Sequence, residues 1–362
     1  MKQILTVYTG GTIGSAPDGE KRALNPTLAK RAIAANFSEG DSRYADLSAR
    51  LFCDSEFSAE LQTLSESMTP EKLGHIIRHI RSFDLSQYAG VIVLHGTDTL
   101  AYTAALFSLL FSNTPTPIML VSGNRPPMDP KTNANANFRA AAELIMDGIA
   151  PNVYVPYQNT DTDRDTVQLH LAASLMQCQN YSENFYNASP CKVFTLKFAS
   201  MPDLELLDAC KKLSEERSTV YAKKLQKIDT VPQNRVLLLH PYTGLDYARI
   251  SLRGFSAVMH GTYHSGTVCV ERNKEGEPYS SRSILSLADR CREREIPLFL
   301  SPCKLDGEQY SSAYDAVRSG GAIPLGMTIE VAYAKALAAV AMKLSGKELT
   351  AFMQANVCGE WN

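Results

Sequence analysis

Nowhere does the chain run through the roughly eighteen uninterrupted apolar residues that a membrane-spanning helix needs. Met1-Lys2-Gln3-Ile4 leads straight into a strand-like run, without the apolar stretch or small-residue cleavage site of a secretory leader. Excess charge is also missing, since a formal net charge of -2 over 362 residues leaves no footprint for nucleic acid or an anionic lipid surface. These absences predict a cytoplasmic protein with no nucleic-acid or membrane partner, acting on a small neutral or zwitterionic ligand. The eight cysteines contain no C-x-x-C pair, in a chain too long to need stapling, so they are expected to be reduced and mostly buried. No G-x-S-x-G elbow and no G-x-x-x-x-G-K-[ST] loop occurs, and Gly10, Gly11 and Gly14 miss the G-x-G-x-x-G spacing. No cofactor is therefore expected. His75 and His79 are interleaved with Ile76, Ile77 and Ile80 and lack a Glu or Cys to complete a set, which predicts surface histidines and no metal.

Two stretches remain that carry polar residues where chemistry is usually placed. Val91-Ile92-Val93-Leu94 reads as a strand buried on both faces, followed by His95-Gly96-Thr97-Asp98-Thr99 and a helix from Leu100 onward. Ile4-Leu5-Thr6-Val7-Tyr8 is a second such strand, followed by Thr9-Gly10-Gly11-Thr12-Ile13-Gly14-Ser15. The Thr-Asp-Thr group alone is explained by a helix cap. Two threonine-bearing turns after two strands point further, because open α/β sheets hold ligands at the carboxyl ends of their strands.

The pattern predicts an α/β protein: a large doubly wound, mostly parallel sheet domain followed by a smaller α/β domain. Strands over 4–8, 51–53, 91–95, 117–121 and 152–155 alternate with helices over 26–36, 70–83, 99–111 and 133–146. This first domain is placed at 1–203. Residues 204–233, charged and broken by Val231-Pro232, are expected to be a linker, and 234–362 the smaller domain. There, strands over 235–239, 256–259 and 297–300 alternate with helices over 246–251, 280–292, Ala313–Val317 and Ile329–Leu344.

The two turns resemble the TGGTI and HGTDT signatures of the bacterial-type L-asparaginase/glutaminase family, in its cytoplasmic, type I-like branch. Met68-Thr69-Pro70-Glu71-Lys72 is similar to the family's MTPE helix start, and Met327-Thr328-Ile329-Glu330 to its DMT-x-E segment, so the resemblance covers nearly the whole chain. It implies hydrolysis of the side-chain amide of asparagine, glutamine or a related small amide, on a large domain whose site a neighbouring subunit completes in a homodimer or homotetramer. It further implies Thr12 as nucleophile, Thr97 as second hydroxyl and Asp98 as the partner of the substrate ammonium. Ser65 would meet the substrate carboxylate with backbone N–H groups, and Gly11 and Gly96 would line the substrate. Glu66 stands where relatives often carry Gln or Ser, adding negative charge near that ammonium.

The departures are equally specific. No lysine occurs between Lys131 and Lys192, and aligning Thr166-Val167-Gln168-Leu169-His170 with the family's T-T-K-A-H run puts Gln168 at the lysine position. Glutamine cannot accept a proton as a general base. Ala16 to Pro26 contains no counterpart of the family's mobile-loop tyrosine, Asn133 replaces the aspartate of its S-D-G run, and Gly261-Thr262-Tyr263-His264-Ser265-Gly266 departs from its G-x-G-N turn. The tRNA-dependent amidotransferase relatives carry an additional N-terminal domain, whereas Met1 here begins at the first strand. Two readings stay open: an amidohydrolase of altered rate or specificity, and a degenerate relative that binds an amino acid without efficient turnover.

Overall fold

Short apolar runs that are too brief to be helices, and buried on both faces, build the central layer. The computed structural model describes residues 2–40, 51–55, 62–189, 192–198, 201–215, 218, 220–273 and 278–361, without the side chains of 38–40. The chain divides into two compact units, Met1–Thr230 with Val357–Gly359, and Val231–Asn356 with Glu360–Asn362.

The first unit contains β1 (Ile4–Tyr8), β2 (Ser15–Asp18), β3 (Lys21–Leu24), β4 (Phe52–Asp54), β5 (Gly90–Leu94), β6 (Ile118–Val121), β7 (Val153–Tyr157), β8 (Thr166–Leu171) and β9 (Val193–Lys197). Its helices are α1 (Pro26–Gly40), α2 (Pro70–Arg81), α3 (Leu100–Leu110), α4 (Ala134–Met146), α5 (Leu204–Glu215) and the short α6 (Ala222–Leu225). The main sheet has the order β4-β1-β5-β6-β7-β8-β9. From β4 to β7 the pairing is parallel, and β8 and β9 are added antiparallel. Strand β1 lies between β4 on one side and β5 on the other, so the strand order reverses there and a crevice opens at the carboxyl ends of β1 and β5. Every residue of these two strands is buried, and α3, apolar all round, is buried too.

The second unit is a parallel sheet in sequential order, β10 (Val236–Leu239), β11 (Ala257–His260), β12 (Leu298–Leu300) and β13 (Ile323–Pro324). Its helices are α7 (Ile284–Arg292), α8 (Ser311–Arg318), α9 (Ile329–Ala341) and α10 (Gly346–Gln354). The core gathers Val258, Leu287, Leu298 and Leu300 around Tyr247. Lys335 on α9, fully buried, pairs with Glu360 at 2.6 Å and also donates to the Ala355 carbonyl, which fastens the last residues to this unit. Among the described residues no helix is long and apolar enough to cross a membrane.

The architecture is the expected one, with local differences. Residues 15–24 form a β-hairpin where no element is expected, and strands β8 and β9 are additional. Strand β8 escapes a pattern search because its polar Thr166, Gln168 and His170 are as buried as its apolar residues, which hides the alternation. The helix expected over 246–251 is a single tight turn, Tyr247–Arg249, capped by Asp246. The described residues of 204–230, expected within a linker, include α5 and α6 and group with the first unit, since Leu206, Cys210 and Leu225 are buried. His75 and His79, expected at the surface, are half-buried, and burial lowers the proton affinity of His79. Of the cysteines, Cys210, Cys291, Cys303 and Cys358 are buried, Cys53 and Cys178 half-buried and Cys269 exposed; Cys191 lies outside the described residues.

Candidate active site

The site is assembled from backbone turns that glycine allows to touch. Gly10 and Gly11 adopt φ of 114° and 75°, a region side chains avoid. A Cβ on Gly11 would stand 2.2 Å from the Cα of Gly96, so the turn after β1 and the turn after β5 are in direct backbone contact. Thr12, half-buried, opens the short 3-10 turn Thr12–Gly14 next to that contact. A third segment joins them: Gly11 N–H donates to the Thr63 carbonyl at 3.0 Å, and a Cβ on Gly96 would meet the Ser65 side chain at 2.5 Å. Lys72, on α2, pins this segment by donating to Thr63 Oγ1 and to the Ser67 carbonyl. The helix start expected at Thr69-Pro70 is present, with the Thr69 hydroxyl accepting from Lys72 N–H.

Ser65 and Asp98 form a reciprocal pair. The Ser65 hydroxyl donates to Asp98 Oδ2 at 2.6 Å and accepts the Asp98 N–H at 3.1 Å. Thr99, expected as a cap, occupies the cap position of α3 but turns its hydroxyl to the Ser65 carbonyl at 2.9 Å. The same oxygen therefore ties the third turn down and does not serve the helix. Behind the turn, buried His95 is held neutral by desolvation. Its Nδ1–H donates to the Gly96 carbonyl and its Nε2 accepts the Thr103 hydroxyl, which fixes the peptide that meets Gly11.

Thr97 and Asp98 open onto a cleft of about 400 Å³ whose far wall is the 177–185 segment with Asn124 and Tyr157. Gln177 donates its amide to the Asp98 carbonyl at 2.5 Å, and Asn124 donates to Glu183 Oε2 at 2.7 Å. Cys178 lines the same cleft; burial pushes its thiol up, so it is held as a neutral thiol. Burial likewise raises the Tyr157 phenol. Apart from Asn124, none of these wall residues stands out in the sequence. Asn124 alone is signalled, by its place just past the carboxyl end of β6.

The structure thus brings Gly11, Gly96, Ser65 and Asp98 together, places Thr12 beside them, and puts Thr97 and Asp98 on the cleft. Glu66 is exposed on the Ser65–Ser67 turn and is not among the cleft's lining residues. Gln168 also stands outside that lining, where its Oε1 accepts the Asn159 N–H at 3.4 Å. Asn159 in turn exchanges two hydrogen bonds with the Phe185 backbone, so Gln168 supports the cleft wall from behind. His170, buried in β8 and donating to Asn187, has its pKa lowered to about 4 by burial. Asn133 accounts for its own departure from the family pattern: its Nδ2 donates to the Gln158 carbonyl while its Oδ1 accepts the Asn124 N–H, and a carboxylate could do only the second.

Taken whole, the fold matches solved L-asparaginases. L-asparaginase I from Vibrio cholerae superposes with a TM-score of 0.67 at 21% identity, over 100% of this chain and 99% of that one. The thermostable L-asparaginase from Thermococcus kodakarensis gives 0.66 at 21%, over 99% of each. In sequence, a glutamyl-tRNA(Gln) amidotransferase subunit from Aeropyrum pernix is 26% identical over 99% of this chain and 79% of its own length. The Thermococcus kodakarensis L-asparaginase is 24% identical over 99% and 98%. A family profile described as "Asparaginase, N-terminal" matches residues 3–189, which hold both threonine turns and the whole cleft wall. The chain belongs to the asparaginase family of amidohydrolases.

Proposed function

We propose that this protein hydrolyses a primary amide on the side chain of an amino acid, asparagine, glutamine or a close relative, to the acid and ammonia. The observation that carries the reading is the backbone contact of Gly11 with Gly96 at the reversal of strand order, which sets Thr12 and Thr97 on two joined turns. Thr12 Oγ attacks the amide carbon, the hydroxyl proton passes toward the leaving nitrogen, and ammonia departs. Water then cleaves the acyl-threonine ester, releasing the acid and restoring the hydroxyl. Thr97 supplies the second hydroxyl on the proton route, and Asp98, fixed by Ser65 and Gln177, takes the substrate ammonium. The resemblance extends the proposal to a homodimer or homotetramer, measurable by light scattering. Ammonia release from asparagine, glutamine and short amides is expected for the native protein and lost in Thr12→Ala and Thr97→Ala; unchanged release in either variant overturns the assignment.

The second reading, binding without turnover, is favoured by Gln168, which replaces the family's lysine with a group that cannot act as a base. Absence of ammonia release from every amide, with asparagine or aspartate still bound, would select it.

A further inference from the structure

Within the second unit, the amino ends of the strands carry two adjoining cavities. One, of about 560 Å³, has a mostly apolar wall that includes Ala288, Ile296, Leu298, Ile323 and Ala351. Arg292, Thr350 and Gln354 interrupt that wall, the last two one helical turn apart on α10. The other, of about 540 Å³, is bordered by Arg235, Arg294 and Lys343, with Glu295 the single carboxylate among its lining residues. Glu295, Ile296, Pro297 and Gly346 belong to both walls, so the two spaces meet there.

The second cavity is arranged for an anion. Arg235 donates Nε and Nη2 to the Ser256 hydroxyl at 3.2 and 2.8 Å, which fixes its guanidinium at the rim. Arg294 is shared with Glu293, at 3.6 Å. Helix α10 begins on the same space, and its cap residue Ser345 makes no side-chain hydrogen bond to the first turn, so the positive end of the helix adds to the cations. Beyond the ends of α7 and α9, Glu295 and Lys343 have φ of 55° and 59°, in the left-handed region where glycine is the usual residue. Charged side chains are thus kept at two positions whose backbone disfavours any side chain.

The first cavity suits a flat heteroaromatic ring better than an acyl chain, because a chain would cover Thr350 and Gln354 with methylenes and leave their hydrogen bonds unmade. The Gln354 amide offers a donor and an acceptor side by side, the pair that matches the edge of a purine. We propose that the two cavities form one binding site for a purine nucleoside 5′-phosphate. The base lies against Ile296, Ile323 and Ala351 with its edge on Gln354, and the phosphate rests among Arg235, Lys343 and the start of α10. Glu295, at the junction, would repel a second anion but accepts readily from the two ribose hydroxyls between base and phosphate. Both volumes fall within the range of small-molecule sites. No glycine-rich motif announces such a site, since its cations come from positions 235, 294 and 343, far apart in the chain.

The test is calorimetry on the full chain with adenosine 5′-monophosphate, set against adenosine, inorganic phosphate and dodecanoate. The nucleotide is expected to bind about tenfold or more tighter than adenosine or phosphate alone. Arg235→Ala and Lys343→Gly should each weaken it about tenfold, and the second substitution keeps the left-handed backbone without strain. Ala351→Trp, at an exposed position of α10, should fill the first cavity and remove the advantage of the nucleotide over inorganic phosphate while leaving phosphate affinity unchanged. No nucleotide binding at roughly millimolar concentration overturns the proposal. So does tighter binding of dodecanoate, which would make the site one for an acyl anion, or nucleotide binding indifferent to Lys343→Gly and Ala351→Trp.

Discussion

The same three residues, His-Gly-Thr, end a buried parallel strand in each unit, and only one of the two turns is met by a second glycine-bearing turn. After β5, His95 bonds the Gly96 carbonyl through Nδ1 at 2.8 Å and a hydroxyl, that of Thr103, through Nε2 at 3.0 Å. After β11, His260 bonds the Gly261 carbonyl at 2.6 Å and the Tyr247 hydroxyl at 2.8 Å. Both imidazoles are buried and held neutral by desolvation. What differs is what meets the glycine. Gly96 faces the backbone of Gly11 and the side chain of Ser65, whereas Gly261 faces the His240 ring, and Thr262 spends its hydroxyl on the Pro302 carbonyl at 2.8 Å. A neutral histidine locking its own turn is a structural device. The proposed site lies where a second glycine-bearing turn is pressed against it.

The largest effect that would sharpen this contrast is catalytic. Thr97→Ala, like Thr12→Ala, is expected to lower ammonia release by about a thousandfold or more, within the range that nucleophilic and acid–base groups command. Thr262→Ala should leave kcat/KM within about twofold. A loss of turnover in Thr262→Ala, in well-folded protein, would break the comparison.

Next is backbone contact. Gly11→Ala places a Cβ 2.2 Å from Gly96 Cα at a positive φ, and should cost about 3 kcal/mol or more in urea unfolding. Gly261→Ala meets its nearest atom, His240 Nδ1, at 3.2 Å, and should cost about 1 kcal/mol or less. Similar midpoints for the two variants would mean that the joined turns are not special.

Protonation gives an effect of comparable or smaller size. His260 has a folded pKa lowered from 6.5 to about 4 by burial, so the unfolded chain takes up a proton first as the solution is acidified. Its contribution is fully present above pH 6.5 and is lost as the pH falls toward 4, by about 3 kcal/mol at most. Unfolding midpoints measured across that window should fall in the native protein and fall less steeply in His260→Gln, where buried His170 still titrates.

The smallest expected change is in binding. Asp98→Asn replaces the carboxylate that accepts from Ser65, and should weaken aspartate or asparagine binding about tenfold in calorimetry. An unmoved dissociation constant would reduce Asp98 to a turn residue.

The two strands and their turns were legible because each signal is local: a β-branched run, then glycines and threonines within a few positions. The partners of those turns were not. Gln177 reaches the Asp98 carbonyl from 79 positions away, and Asn124 holds Glu183 across 59, so no spacing rule could join them. Thr99 shows the opposite failure. Its place at the head of α3 predicts a cap, yet tertiary contact with Ser65 takes its hydroxyl. Strand β8 and the hairpin were hidden for a third reason, because uniform burial or exposed, charged residues erase the two-residue alternation.

The touching glycines also bear on how the protein breathes. With Gly11 Cα lying against Gly96 and the Thr9 N–H bonded to the Leu94 carbonyl at 3.1 Å, neither turn can lift away without dragging on the other. Thr12 and Thr97 therefore belong to one opening unit, and their neighbourhoods should exchange amide hydrogens together, at a single free energy, however fast the 177–185 wall exchanges on its own.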